Sequence, residues 1–182
     1  MRTFERLCLL ASGTAILLDG CAAREQPVPI SPAVPQPTLP RRAPAERIND
    51  GSYVATSGSI ELLILRSSEL ALQRSPAMRV REFATRMIED HKGTSAQLSF
   101  AGRRLNLLPS AILQPREQSL LNSLAAASDF DPAYVRLQRT AHQELLAMDR
   151  SYASTGQSPT LRPVAAAAVP IEERHLRMLA YL

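Results

Sequence analysis

The sequence predicts an all-α fold, a bundle of four main helices. Its composition is 45% hydrophobic but only 4% aromatic, with no Trp, which suits helices packed through Ala and Leu better than a β-sheet. The stretch Val80–Leu105 places mainly apolar residues at alternating three- and four-residue steps, the pattern of a long helix packed against other helices. Capping residues that stand before prolines mark where further helices begin.

The N-terminus predicts an export signal. Arg2 and Arg6 precede the apolar run Leu7–Leu18, which has the length of a signal-peptide core and is too short to span a bilayer. The run ends in Leu18-Asp19-Gly20-Cys21, which resembles the bacterial lipoprotein signal with its lipidated cysteine. An ordinary secretory signal cut near Ala22-Ala23 is the alternative.

Lipidation of Cys21 would anchor the chain to a membrane. Cys8 lies within the leader, so Cys21 is the one cysteine left after cleavage and no internal disulfide can form. The next residue is Ala22 rather than Asp, which in lipoproteins of this kind is the usual signal for the outer membrane. We therefore predict a lipid-anchored protein of the outer membrane that faces the periplasm, or a protein secreted to the periplasm if the alternative holds.

A proline-rich stretch follows the cysteine. Seven prolines lie between Pro27 and Pro44, a density that predicts an extended, semi-rigid spacer. A PxxP ligand for a partner domain is the alternative. The sequence thus predicts three segments: a signal peptide at 1–20, a lipidated cysteine and tether at 21–48, and a helical domain at 49–182.

The helices of that domain are predicted near 51–74, 76–105, 132–154 and 159–181. Each start has a capping side chain, and three of the four starts have a proline next to it; the caps are Asp50, Ser75, Asp131 and Ser158. Gly156 stands where the third helix should end.

The connections predict the topology. Short links at Ser75-Pro76 and Gly156–Pro159 make each flanking helix pair an antiparallel hairpin. About 25 residues, Asn106–Phe130, separate the hairpins and include a predicted short helix after Pro115. One long crossover between two hairpins is the ferritin-like arrangement.

Each histidine falls on one of the last three main helices, at or beside the apolar face. His91 lies on the face that runs through Val80–Leu105, and His142 flanks the face of the third main helix. His175 lies on the predicted face of the last helix, Leu161, Val164, Ala168, Ile171, His175, Met178 and Leu182, which Pro170 should kink. The first helix is apolar almost all round, so either Glu61 or Glu69 could face inward.

These histidines predict either a metal site or a structural polar core. Glu172 and His175 have the i, i+3 spacing of di-iron carboxylate bundles, and Asp90 adjoins His91. No second Glu-x-x-His occurs, so a mononuclear transition-metal site or a vestigial site is favoured over a di-iron oxidase site. The candidate ligands are His91, His142, His175, Glu172, Asp90, Glu61 and Glu69. Because adjacent helical residues point about 100° apart, Asp90 and His91 should not share one pocket.

Several motifs resemble a known family. Phe83-Ala84-x-Arg86-Met87-Ile88-x-Asp90-His91, Ser67-Ser68, His142 and Val169-Pro170-x-x-x-x-His175-Leu176 are similar to the bacterial exported "predicted outer-membrane protein" group, domain of unknown function four-one-four-two. The resemblance implies a ferritin-like bundle in the cell envelope and brings no established activity. Members commonly carry a glutamate where this chain has Ile64, and Glu61 lies one turn earlier.

The predicted function is a non-catalytic module of the cell envelope that has a His/carboxylate core and interacts with an envelope protein. Metal-ion binding through the histidines of three helices is the alternative. The mature chain has no thiol nucleophile, Gly-rich phosphate loop or nucleophile elbow, so no catalytic residue is predicted. Its net charge of +4 is interspersed rather than clustered, which argues against nucleic-acid binding.

Overall fold

A computed structural model describes residues 48–182, and these form five helices and no strand. The helices are α1 (Asp50–Arg74), α2 (Met78–Arg103), α3 (Pro115–Ala125), α4 (Phe130–Thr155) and α5 (Arg162–Leu179). The predicted all-α class is confirmed. The predicted signal peptide, Cys21 and the prolines of the tether lie outside the described residues.

The helices form two hairpins joined by one crossover, as the sequence predicts. α1 packs along α2 and α4 along α5, and the contacts of α1 with α4 and of α2 with α5 close a four-helix bundle. The crossover contains α3, which packs against α1 and α4. Within residues 48–182, no helix has the length and apolar character that a membrane span requires.

Two close backbone approaches hold the crossover against the first hairpin. After α2 the chain turns tightly: the amide of Leu107 donates to the Gly102 carbonyl at 2.8 Å, and Asn106 has a φ of 57°. A Cβ at Gly102 would lie 2.0 Å from the Leu107 oxygen, and one at Gly58 would lie 2.4 Å from Pro109. Both positions therefore require glycine for the crossover to pass this close to α1 and α2.

Helix starts differ from the predicted ones by one to three residues. Asn49, rather than Asp50, caps α1 by accepting from the Ser52 amide at 2.8 Å. Ser75 accepts from the Ala77 amide and Ser158 from the amides two and three residues on, so each forms a turn that precedes the helix. Asp131 lies inside the first turn of α4 and makes no capping hydrogen bond.

The buried face of α2 is the predicted one, but that of α5 is not. On α5 the buried residues are Ala165, Ala168, Glu172, His175 and Leu179. Ile171 and Met178 are half-buried, and the C-terminal Leu182 is exposed. The face has therefore rotated by about one residue around His175, and this rotation turns the Glu172 side chain inward. The helix continues through Pro170.

The core consists of two apolar clusters with a polar layer between them. One cluster includes Ile64, Met87 and Leu145, and the other is built around Tyr53 and Tyr152 near the opposite end of the bundle. His91 and His175 lie on their helices between residues of the two clusters, and His142 lies on α4 between Ala141 and Leu145 of the first cluster. This placement surrounds the polar layer with apolar side chains and removes it from bulk water.

Candidate metal centre

The three histidines meet in the middle of the bundle. His91 of α2, His142 of α4 and His175 of α5 are each 0% exposed. His91 Nε2 lies 3.2 Å from His142 Nε2, and His142 Nε2 lies 3.2 Å from His175 Nδ1. One nitrogen of each imidazole therefore points to a common centre.

Glu172 of α5 completes this inner group. It is one turn from His175 and is also 0% exposed. Its carboxylate oxygens lie 4.0 Å from His91 Nε2 and 3.8 Å from His142 Nε2. Ligand atoms from these four residues all lie within 4.8 Å of one another. Within residues 48–182, neither oxygen of Glu172 has a hydrogen-bond partner, an exceptional state for a buried carboxylate.

Each imidazole uses its outer nitrogen to bond an oxygen. His91 Nδ1 lies 3.1 Å from Glu61 Oε2, His142 Nδ1 lies 2.6 Å from the carbonyl oxygen of Gln138, and His175 Nε2 lies 2.9 Å from Asp90 Oδ2. A carbonyl oxygen only accepts, and the two carboxylates accept when ionised. We therefore assign the outer nitrogens as N–H donors, so that each imidazole, when neutral, has its lone pair on the inner nitrogen.

The charges around the outer contacts are themselves fixed by further hydrogen bonds. Thr94 and Ser95 donate to the same Glu61 oxygen at 2.7 and 2.8 Å. Arg174 donates to Asp90 at 3.0 Å. Burial alone would raise the pKa of Asp90, but the hydrogen bonds from His175 and Arg174 reverse this and lower it. The hydrogen bonds from His175 and Arg174 thus favour the ionised, accepting form of Asp90.

The environment opposes protonation of two histidines. Burial, followed by the neighbouring His91, lowers the pKa of His142 well below its usual value. Burial also lowers the pKa of His175 to about 4, although the hydrogen bond to Asp90 opposes the shift. For His91, burial lowers the pKa, but the charge of Glu61 and its hydrogen bond outweigh burial and the net shift is upward. Neutral imidazole is the form that ligates metals.

The same interior raises the pKa of nearby carboxyl groups. Burial raises the pKa of Glu172 to about 8 and that of Asp149 to about 7. Asp149 accepts a hydrogen bond from the Tyr53 hydroxyl at 2.8 Å, and the Tyr53 ring stacks on Tyr152 with centroids 3.9 Å apart. Asp149 and Glu61 line the same small cavity. The acidic groups therefore extend beyond the histidines toward the end of the bundle that contains Tyr53 and Tyr152.

The sequence-predicted residues divide into an inner group, an outer group and one that is remote. His91, His142, His175 and Glu172 form the inner group, and Glu61 and Asp90 hold outer nitrogens. Asp90 reaches the outer nitrogen of His175 on the neighbouring helix and lies outside the inner group to which His91 belongs. Glu69 lies outside the site, because its side chain is 44% exposed and pairs with Arg66.

The remaining polar contacts were missed by sequence reasoning. Thr94 lies on the predicted face of α2 and Gln138 on that of α4, so burial of both could be expected but their contacts could not. Gln138 acts through its backbone carbonyl, which no side-chain pattern reports. Ile64, which stands where relatives commonly have glutamate, is 0% exposed in an apolar cluster, and the carboxylate of α1 comes from Glu61 instead.

The spacing of the inner nitrogens is compatible with a tetrahedral metal ion. Zn–N bonds of about 2.0–2.1 Å in tetrahedral geometry place neighbouring nitrogens about 3.3–3.4 Å apart, close to the two 3.2 Å separations observed. Three imidazoles whose outer N–H groups are held by oxygens are also a recurrent feature of metal sites. Glu172, whose oxygens have no hydrogen-bond partner among residues 48–182, would supply the fourth donor.

Fold and site together define a ferritin-like helical domain with a buried His/Glu group. The chain belongs to the family described as "Domain of unknown function (DUF4142)", whose model matches residues 35–182. A search of curated protein sequences gave no match.

Solved structures with the same fold are distant in sequence. The chain is 15% identical to CopM in its Cu(II)-bound form, with a TM-score of 0.63 over 74% of this chain and 95% of that one. The Ag-bound form of CopM obtained by soaking gives 14% identity and a TM-score of 0.61 over 74% and 94%. A DUF305 fragment from Deinococcus radiodurans gives 17% identity and a TM-score of 0.61 over 70% and 90%. At these identities the similarity concerns the fold.

Proposed function

We propose that the domain binds one transition-metal ion through His91, His142, His175 and Glu172. The observation that supports this most strongly is the convergence of three inner nitrogens whose outer partners are all oxygens. Three lone pairs that face one another at this distance are stabilised by a cation at their centre. The two buried oxygens of Glu172 would then gain the partner that the described residues do not give them.

The charge of a divalent ion also suits the site. Glu61 and Glu172 are both buried, and because an unpaired buried carboxylate is costly, the pKa of Glu172 is raised to about 8; a bound cation would allow Glu172 to ionise. A 2+ ion would balance these two carboxylates, while Arg174 already pairs with Asp90. The donors are imidazole and carboxylate rather than thiolate or thioether, which favours a borderline divalent ion such as Cu(II) or Zn(II) over Cu(I). The copper-bound structures of CopM make copper the first ion to test.

We further propose that binding, rather than catalysis, is the role of the site. Catalytic metal sites keep an open coordination position, whereas structural sites are closed. All four inner residues are 0% exposed, so a bound ion would have four protein donors and no route for substrate. Lipidation of Cys21 would hold this binding module at the outer membrane, where it faces the periplasm and can meet an envelope protein.

Calorimetric titration tests the proposal. The chain is purified without a histidine tag, stripped with chelator and titrated with Cu(II) or Zn(II). The expected result is one ion per chain, with Cu(II) tighter than Zn(II) in keeping with the usual order for such donors, and loss of this binding in His142→Ala. If no ion binds and His142→Ala only lowers the melting temperature, the histidines are a structural polar core and the metal proposal fails.

A further inference from the structure

An apolar cavity lies away from the histidines, under α3. It has a volume of about 420 Å³ and is bounded by α1, α3 and α4. Aliphatic side chains line it, among them Ile60, Leu63, Leu120, Leu124 and Leu137. This volume falls within the usual range for sites that bind small molecules, which are likewise lined mainly by apolar residues.

α3 is fixed at both ends rather than along its length. At its start, Arg116 makes two hydrogen bonds to Glu144 of α4, at 2.8 and 2.6 Å. At its end, Arg74 of α1 donates to the Ala125 carbonyl at 2.6 Å and the Ala127 carbonyl at 3.0 Å. Of the residues of α3, only Glu117 and Leu124 are buried. The helix therefore covers the cavity instead of filling it.

The mouth of the cavity carries one cation that is not already neutralised. Arg116 is paired with both Glu144 and Glu117. Arg136, which also lines the cavity, is exposed and has no ion pair among residues 48–182. A free guanidinium beside an apolar cavity matches a molecule with an aliphatic chain and an anionic head, because guanidinium bonds carboxylate and phosphate groups in a two-pronged geometry.

We propose that this cavity binds the chain of a single-chain anionic amphiphile, with the carboxylate or phosphate head at Arg136. The proposal is independent of the metal site, since none of the inner four residues lines the cavity. Both a free fatty acid and a single-chain phosphate monoester have the required chemistry.

Dodecanoate is the probe, titrated into the purified full chain below its micelle concentration. The expected result is saturable 1:1 binding that is at least tenfold tighter than that of dodecyltrimethylammonium, which has the same chain and the opposite charge. A parallel titration with dodecyl phosphate shows whether the site binds a carboxylate head or a phosphate head more tightly. If neither anion binds saturably, or if the cation binds equally well, the proposal is overturned.

Two variants and one control distinguish the site of the ligand's alkyl chain from the site of its anionic head. Ala133→Phe places a ring in the cavity and should reduce dodecanoate binding at least tenfold, whereas Ala166→Phe, at an exposed position of α5, should not. Arg136→Gln should remove the preference for dodecanoate over uncharged dodecanol while leaving dodecanol binding unchanged. Unchanged dodecanoate binding in a folded Ala133→Phe chain would refute the site. Loss of a dimer in that variant would show that a second copy occupies the groove, and this too would refute the proposal.

Discussion

Replacing Glu61 with Gln should weaken metal binding without removing any of the four inner donors. Glu61 Oε2 accepts from His91 Nδ1 at 3.1 Å, Thr94 at 2.7 Å and Ser95 at 2.8 Å. Gln has nearly the same shape, but it lacks the negative charge, and its amide nitrogen can only donate. The Gln oxygen can still accept from His91 Nδ1, but without the negative charge the inner nitrogen of His91 becomes less basic and binds metal less tightly.

The size of this effect follows from comparable metal sites. Loss of an outer partner of a ligating histidine typically costs 10–100-fold in metal affinity, or about 1.4–2.7 kcal/mol. We expect a loss in this range for Glu61→Gln, measured by competition of the purified chain with a chromophoric chelator. His91→Ala, which deletes an inner donor, should lose more.

Glu69→Gln is the matched control. It makes the same chemical change on the same helix two turns away, where the carboxylate is half exposed and pairs only with Arg66. Its metal affinity should equal that of the wild type. Both variants are compared by circular dichroism in chelator to show that the fold is kept. If the two folded variants bind metal equally well, the charge of Glu61 does not strengthen the His91 ligand and this part of the account is refuted.

Three further predictions concern stability. A saturating divalent ion at 1,000 times its Kd should stabilise the folded chain by about 4 kcal/mol, seen as a rise in melting temperature that His175→Ala abolishes; an equal rise in that variant would contradict the site. Because the pKa of Asp149 is raised to about 7 in the folded state, the stabilisation that protonated Asp149 gives the folded chain is complete below about pH 4 and is lost as the pH rises through 7. The free energy of unfolding of the wild type, relative to that of Asp149→Asn, should therefore fall between about pH 4 and pH 7, by about 4 kcal/mol at most. Denaturant titrations in chelator measure this difference, and a difference that does not change with pH would refute the shift. Gly102→Ala should destabilise the fold by about 1–3 kcal/mol because its Cβ would meet the Leu107 oxygen. Gly93→Ala, whose Cβ would meet no atom within 4 Å, should stabilise the fold by up to about 1 kcal/mol. Thermal melts in which Gly93→Ala is the less stable variant would contradict the close packing at Gly102.

The face of α2 could be predicted from the sequence because its periodicity is unbroken. Every predicted position from Val80 to Ala101 is buried, and His91 is therefore placed correctly. α5 offered a weaker signal, since its alanines fit either side of the helix. A shift of the buried face by one residue exchanged Ile171 for Glu172, and this exchange is what brings a carboxylate to the inner group.

On α1 the periodicity could not choose between Glu61 and Glu69. The helix is buried on most of its circumference because the crossover and α3 cover its outer side: Pro109 contacts Gly58, and Ser59 donates to Glu117 of α3. Contacts between residues this far apart in the chain leave no trace in the local sequence. The same limit explains why the bond between His175 and Asp90 could not be foreseen.

Elemental analysis of the chain and its histidine variants tests the central claim most directly. The protein is produced without a histidine tag, loaded with Cu(II) or Zn(II), and freed of loosely bound ions by gel filtration. We predict one metal ion per chain in the wild type and in Glu69→Gln, and none in His91→Ala, His142→Ala or His175→Ala. A wild type that retains no metal, or three folded histidine variants that retain it fully, would contradict a shared site.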